Sequence, residues 1–205
     1  MANKSRLKIA ADPAGEEESD GRRRRSERSR QKIVQAMLDL VRDGDMHPSA
    51  AKVAASAGVS LRSVFRHFED MESLYREMTT LIEGEVMPVF MEPFTASDWR
   101  GRLRELVGRR AIICEMIMPI KVAAGVRRFQ SGYLMEDYQR FLMMERSGLE
   151  SILPDRIIAD KILFSSIEMV TGFQAWRRMR QDQRLSVKDA EAVMLATAER
   201  LVVDC

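Results

Sequence analysis

The residues whose types and spacing suit a definite task lie between positions 49 and 68. Ala57-Gly58-Val59-Ser60 pairs a glycine, which enters a left-handed backbone conformation at little cost, with a serine able to cap a helix beginning at Leu61. Two helices joined so tightly must cross steeply. A helix-turn-helix uses such a crossing to lay its second helix in the major groove of duplex DNA, with a buried apolar side and hydrogen-bonding residues outward. Here Val59, Val64 and Phe68 can pack inward, leaving Leu61, Arg62, Ser63 and Arg66 to face out. Arg62 is the candidate base reader, because a guanidinium bridges the O6 and N7 acceptors of guanine. Ser49, Lys52, Ser60 and Ser63 suit phosphates, together with the free N–H groups at the helix starts. Phe65 and His67 complete the candidate set, with His67 equally readable as a cap or packing residue. The spacing alone also describes an ordinary turn between two packed helices.

The elements that must position these residues read as helices throughout. From Ser29 the apolar positions Ile33, Met37, Leu38, Leu40 and Val41 form one stripe, which Gly44 ends. A short helix follows Pro48 and Ser49, then the short helix after Ser60, then a long one capped at Asp70 with Met71, Leu74, Tyr75, Met78, Leu81, Ile82 and Val86 on its stripe, expected to stop near Pro88 or Pro93. Later breaks are expected at 95–99, Pro119, 124–131, Pro154 and 184–186, so that 155–181 and 186–203 form a helical hairpin. No segment alternates as a strand does. The expectation is an all-α chain of about nine helices: a disordered basic arm over 1–28, a three-helix DNA-binding head over 29–70 and a helical effector-binding and dimerisation body over 71–205.

Composition narrows the function. Residues 1–68 hold 14 Lys and Arg against 9 Asp and Glu, a charge of +5, whereas 69–205 hold 19 against 22, or −3, so the head is the part suited to meet an anion. The run Arg22, Arg23, Arg24 and Arg25 belongs to that excess and reads either as a DNA-contacting arm or as a solvated tail. Cys114 and Cys205 form no ligand-spaced cluster with His47 and His67, so no metal, disulfide or other cofactor is expected. No nucleophile with a neighbouring base and no phosphate-cradling glycine loop appears, which argues against an enzyme. The absence of a long apolar run and of a secretory leader makes a cytoplasmic protein, outside the membrane, the expectation.

The stretch from Ala36 to Tyr75 resembles the TetR family of bacterial regulators. The likeness rests on Ile33-Val34-x-Ala36 and Leu40, on Val53-Ala54-x-x-Ala57-Gly58-Val59-Ser60, and on Val64-Phe65-Arg66-His67-Phe68 followed by Glu72-x-Leu74-Tyr75. It implies an N-terminal three-helix DNA-binding domain, a long connecting fourth helix and a divergent C-terminal body that binds a small molecule, with repression relieved by that ligand. Two positions depart from the family pattern. Phe65 stands where a tyrosine hydroxyl commonly meets a phosphate, and Met71 replaces a lysine ahead of the fourth helix, so weaker non-specific DNA affinity is expected.

The second half is rich in methionine and aromatic residues. Such residues usually fill a core, but unbranched methionines also adapt to irregular volumes and suit an apolar cavity. Candidate ligand contacts are Met87, Phe90, Phe94 and Met116, then Phe129, Tyr133, Tyr138 and Phe141, and finally Met169, Phe173 and Trp176. The expected ligand is a small hydrophobic or amphipathic organic effector, the alternative being control by a protein partner. A homodimer is expected because one recognition helix offers few base contacts and operators are commonly palindromic. Its candidate seam joins Ile162, Ser166 and Val170 to Val187, Ala190, Met194, Thr197 and Leu201 in an intermolecular four-helix bundle, the alternative being packing within one chain.

Overall fold

A computed structural model describes residues 13–203 and 205. Those residues form ten α-helices and no strand: α1 Pro13–Arg42, α2 Ala50–Ala57, α3 Leu61–His67, α4 Met71–Phe90, α5 Trp99–Arg127, α6 Gly132–Glu150, α7 Asp155–Ala159, α8 Lys161–Thr171, α9 Phe173–Arg177 and α10 Val187–Leu201. A single π turn, Arg178–Asp182, follows α9.

The turn between α2 and α3 has the expected chemistry. Gly58 sits at φ 65°, and the amides of Gly58 and Val59 return to the carbonyls of Ala55 and Ala54, closing the end of α2 before the chain turns. Ser60 then caps α3, and Asp70 caps α4 in a reciprocal pair with Ser73. Buried Ile33, Met37 and Val41 of α1 meet Val53 of α2, Val64 of α3 and Leu74 and Met78 of α4. This cluster continues across residue 70 to Val107, Ile113 and Ile117 of α5 and to Trp176 and Met194. Leu103 and Leu106, near the start of α5, join a second cluster with Leu149, Phe164, Ile167 and Ala198. α5 therefore belongs to both cores, and a displacement of it loads head and body together.

Four expectations need correction. Residues 13–28 are not a disordered arm but the first half of α1, while 1–12 lie outside the described residues. Apolar periodicity reports burial rather than helicity, and a segment of Glu and Arg, both good helix formers, is helical without an apolar stripe in its sequence. Pro119 does not break α5, whereas α4 ends at Phe90, between the two expected stops. The expected long helix over 155–181 is divided, because Asp160 caps α8 afresh and the chain leaves helical geometry at Gly172. A Cβ at Gly172 would stand 3.1 Å from the Glu168 carbonyl oxygen, so the glycine permits that close turn. These divisions raise the count from about nine helices to ten.

Candidate DNA interface and effector cavity

Helix α3 separates its side chains as groove reading requires. Val64 is buried and Phe68, just past the end, closes the inner side, while Leu61 and Phe65 are 44% and 52% exposed beside exposed Arg62 and Arg66. Neither Arg62 nor Arg66 has an ion-pair partner among the described residues. The expected phosphate contacts already have internal partners. Ser49 Oγ accepts from the Lys52 amide at 3.3 Å, and Ser60 Oγ accepts from the Ser63 amide at 3.1 Å and shares a hydrogen bond with Ser63 Oγ at 3.0 Å. Lys52 Nζ lies 2.8 Å from Asp45. His67 Nε2 is sealed from solvent with no hydrogen-bond partner among the described residues, so His67 packs rather than reaching outward. Its burial, with Arg66 and Arg30 nearby, holds the imidazole below its ordinary range. Arg23, Arg24 and Arg25 are exposed on α1, Arg25 Nε donating to the Gly21 carbonyl at 3.2 Å; the Arg22 side chain lies outside the description.

What fixes α3 against the body is a residue the sequence reading missed. Arg30 Nη1 donates to the His67 carbonyl at 2.8 Å, Nη2 pairs with Glu77 of α4 at 2.9 Å, and the guanidinium lies 4.6 Å from the Phe68 ring centre. One side chain thus ties α1, the end of α3 and α4. Its partners lie 37 and 47 residues away, beyond any local pattern. Nearer the body, Ser131 donates to Glu72, Arg127 donates to the Tyr75 hydroxyl at 3.3 Å, and Arg76 stacks 4.3 Å from the Tyr133 ring, joining the start of α4 to the α5–α6 turn.

Between α4, α5 and α6 lies a cavity of about 400 Å³. Met87, Phe90, Phe94 and Phe141 line it, together with Met78, Ile82, Ile113 and Ile117. Phe141 also borders a second cavity of about 260 Å³, where Tyr138 and Phe173 are found. The remaining candidates stand elsewhere. Met116 packs on the main core, Tyr133 is taken by Arg76, Phe129 is 74% exposed, and Met169 is 70% exposed on the outer side of α8. Trp176 is fully buried, its indole N–H donating to Glu115 at 2.7 Å beside Arg180 at 2.8 Å. Burial opposes ionisation of Glu115, but the hydrogen bonds from Arg180 and Trp176 outweigh it and hold the carboxyl low.

The main cavity also has a charged wall that an aromatic count cannot reveal. Asp137 accepts from Lys121 at 2.9 Å and Arg140 at 2.8 Å, and Arg140 also reaches Glu83 at 3.5 Å. Arg110, only 7% exposed, donates to the Thr171 carbonyl at 3.1 Å, the Thr171 hydroxyl at 2.5 Å and the Glu145 carbonyl. Burial pushes the Glu145 carboxyl up, against the pull of Arg110 and the Phe173 amide. Burial also pushes the Cys114 thiol well above its ordinary range, leaving it neutral. Among the described residues no group of His, Cys, Asp and Glu could hold a metal, and no helix is long and apolar enough to cross a membrane.

The expected dimer seam is split by the same burial. Ala190 and Met194 are sealed inside the chain's own core, and Val170 packs against the second cluster. The outward stripe of α8 is instead Ile162, 83% exposed, with Ser166 and Met169, and that of α10 is Val193 beside half-buried Thr197. Val187 is exposed at the start of α10, while Leu201 is half-buried.

The architecture, a three-helix head on a helical body joined through a long α4, is shared with solved structures at 16% to 19% identity. Similar solved structures include a protein of Rhodococcus sp. Rha1 named a transcriptional regulator, with a TM-score of 0.66 at 16% identity over 85% of this chain and 96% of that one. Another from Streptomyces coelicolor A3(2), also titled as a transcriptional regulator, gives 0.62 at 19% over 84% and 97%. A Mesorhizobium loti MAFF303099 structure titled as a TetR-family regulator gives 0.56 at 19% over 87% and 97%. No protein-family model and no curated protein sequence matches the chain.

Proposed function

We propose that the protein is a sequence-specific DNA-binding transcriptional regulator. In this reading it is a homodimer on a palindromic operator, acting as a repressor that a small hydrophobic or amphipathic effector releases. The observation that carries the reading is α3: a seven-residue helix with an apolar back in the core and Arg62, Arg66, Leu61 and Phe65 all facing away from the chain. A packing helix also leaves a polar outer face, and α3 adds to it two exposed apolar side chains, Leu61 and Phe65, beside two arginines without ion-pair partners among the described residues. Two such helices must stand about 34 Å apart to enter successive major-groove turns, which calls for a second copy. The uncovered stripe of Ile162, Met169 and Val193 on α8 and α10 is the seam proposed for it.

Regulation requires a ligand that favours one of two arrangements. α4 is suited to transmit the choice: Met78, Ile82 and Val86 face the cavity, while Glu77 on the same helix holds Arg30 and through it the end of α3. The cavity also favours this reading over control by a protein partner, which would need no interior space. Fluorescence anisotropy on fragments selected from the source genome tests the proposal. Wild type should bind a two-fold site as a dimer and Arg62→Ala should lose it. Equal binding by the variant, or a monomer at micromolar concentration by light scattering, would overturn it.

A further inference from the structure

We propose that the cavity selects amphipathic anions, an apolar chain or ring system ending in a carboxylate, and that Arg109 receives the anionic end. The inference rests on the cavity being an effector site and names the ligand's chemistry.

The argument is one of charge balance on the cavity wall. Lys121 and Arg140 are matched by Asp137 and Glu83 within one connected network. What remains is Arg109 and Arg110 against Glu145, whose burial favours its neutral form. Arg110 directs three of its five N–H donors to neutral acceptors, two on Thr171 and one backbone carbonyl. The Arg109 guanidinium makes one hydrogen bond, from Nη1 to the Phe90 carbonyl at 3.2 Å, and stacks 4.4 Å from the Phe94 ring centre. Among the described residues it has no ion-pair partner. Glu105, one turn earlier, attracts Arg109 through space but forms no ion pair with it, its oxygens accepting from Thr95 and Ala96 at 2.6 to 2.9 Å. A half-buried guanidinium with one hydrogen bond, next to a buried one already held by three acceptors, is suited to a carboxylate.

Polarity along α5 orients the guest. The cavity-facing positions are cationic at Arg109 and Arg110, then apolar at Ile113, Ile117 and Ile120, with Lys121 beyond them already paired to Asp137. Ten residues of helix span about 15 Å, so the apolar body lies along that wall with its head at Arg109. Because Arg109 also holds the carbonyl of Phe90, the last residue of α4, a ligand that engages it acts on the helix that carries the head.

Calorimetric titration of the full chain with decanoate, decanol and decylamine, all below their aggregation limits, separates the possibilities. Decanoate should bind about tenfold tighter than decanol, with decylamine weakest. Arg109→Met should abolish the preference for decanoate over decanol, and Arg109→Lys should keep most of it; Arg109→Gln serves if the methionine variant melts early. Decanol or decylamine binding as well as decanoate would overturn the anion assignment and leave the cavity reading intact. An unchanged preference in Arg109→Met would overturn the role of Arg109. Failure of all three probes to bind would sink the effector site and this inference with it.

Discussion

The head and the body treat their arginines in opposite ways. In the head, Arg62 and Arg66 stand in solvent on the outer side of α3, where each guanidinium keeps its hydration. In the body, Arg110 is buried and Arg109 half-buried beside an internal cavity, where each cation must be compensated by the protein or by what enters. A buried charge lacking partners costs several kcal/mol, so the Thr171 and Glu145 acceptors around Arg110 are a requirement of folding rather than decoration. One region presents its charge to solvent, and the other holds charge around a small enclosed space. The cluster shared from α1 to α5 joins them.

The largest expected effect tests that junction. Phe68 is almost completely buried where α3 meets α4, and Phe68→Ala should cost about 3–5 kcal/mol in urea unfolding. Because the core is continuous, the loss should appear as one transition in which head and body melt together. Two separated transitions would show that the regions are independent and that α4 transmits little. The next effect isolates the head's chemistry. Arg62→Ala should cost about 1–3 kcal/mol of operator affinity with an unchanged melting temperature, since its side chain is exposed and unpaired in the free protein.

The head was legible in the sequence because its signals are local: Gly58 and Ser60 define the turn, and Val64 and Phe68 sit at helical spacing on one side. The first half of α1 was not, since its charged residues carry no burial pattern. The body's cavity was legible only in part. Phe90 and Phe94 lie close to α4's end and could be placed, but Arg110 meets partners 61 and 35 residues away, which no window contains. Arg109-Arg110 heading the apolar spacing Ile113, Ile117 and Ile120 was the available clue. On α10 both sides carry apolar residues at the same period, so Ala190 and Met194 could not be told from Val193 and Thr197 until the packing was seen.

A smaller change would sharpen the head's side of the comparison. Met71 is half-buried at the first position of α4, beside α3, and Met71→Lys should add one phosphate contact and steepen the salt dependence of DNA binding by about one unit. An unchanged slope would mean that the start of α4 does not approach the DNA backbone.

The smallest effect concerns a head residue that behaves like one of the body. His67 is packed with its Nε2 sealed, and burial first, then Arg66 and Arg30, hold its imidazole below the ordinary value. The unfolded chain, titrating near 6.5, therefore takes up a proton before the folded one does. Its contribution to stability is complete above that value and is lost as pH falls toward the lowered folded-state value. His67→Gln removes the titration, so the decline in melting temperature from neutral to mildly acidic pH should be shallower in the variant. If both decline in parallel, protonation of His67 is absorbed without cost, and the end of α3 is looser than the Arg30 clamp implies.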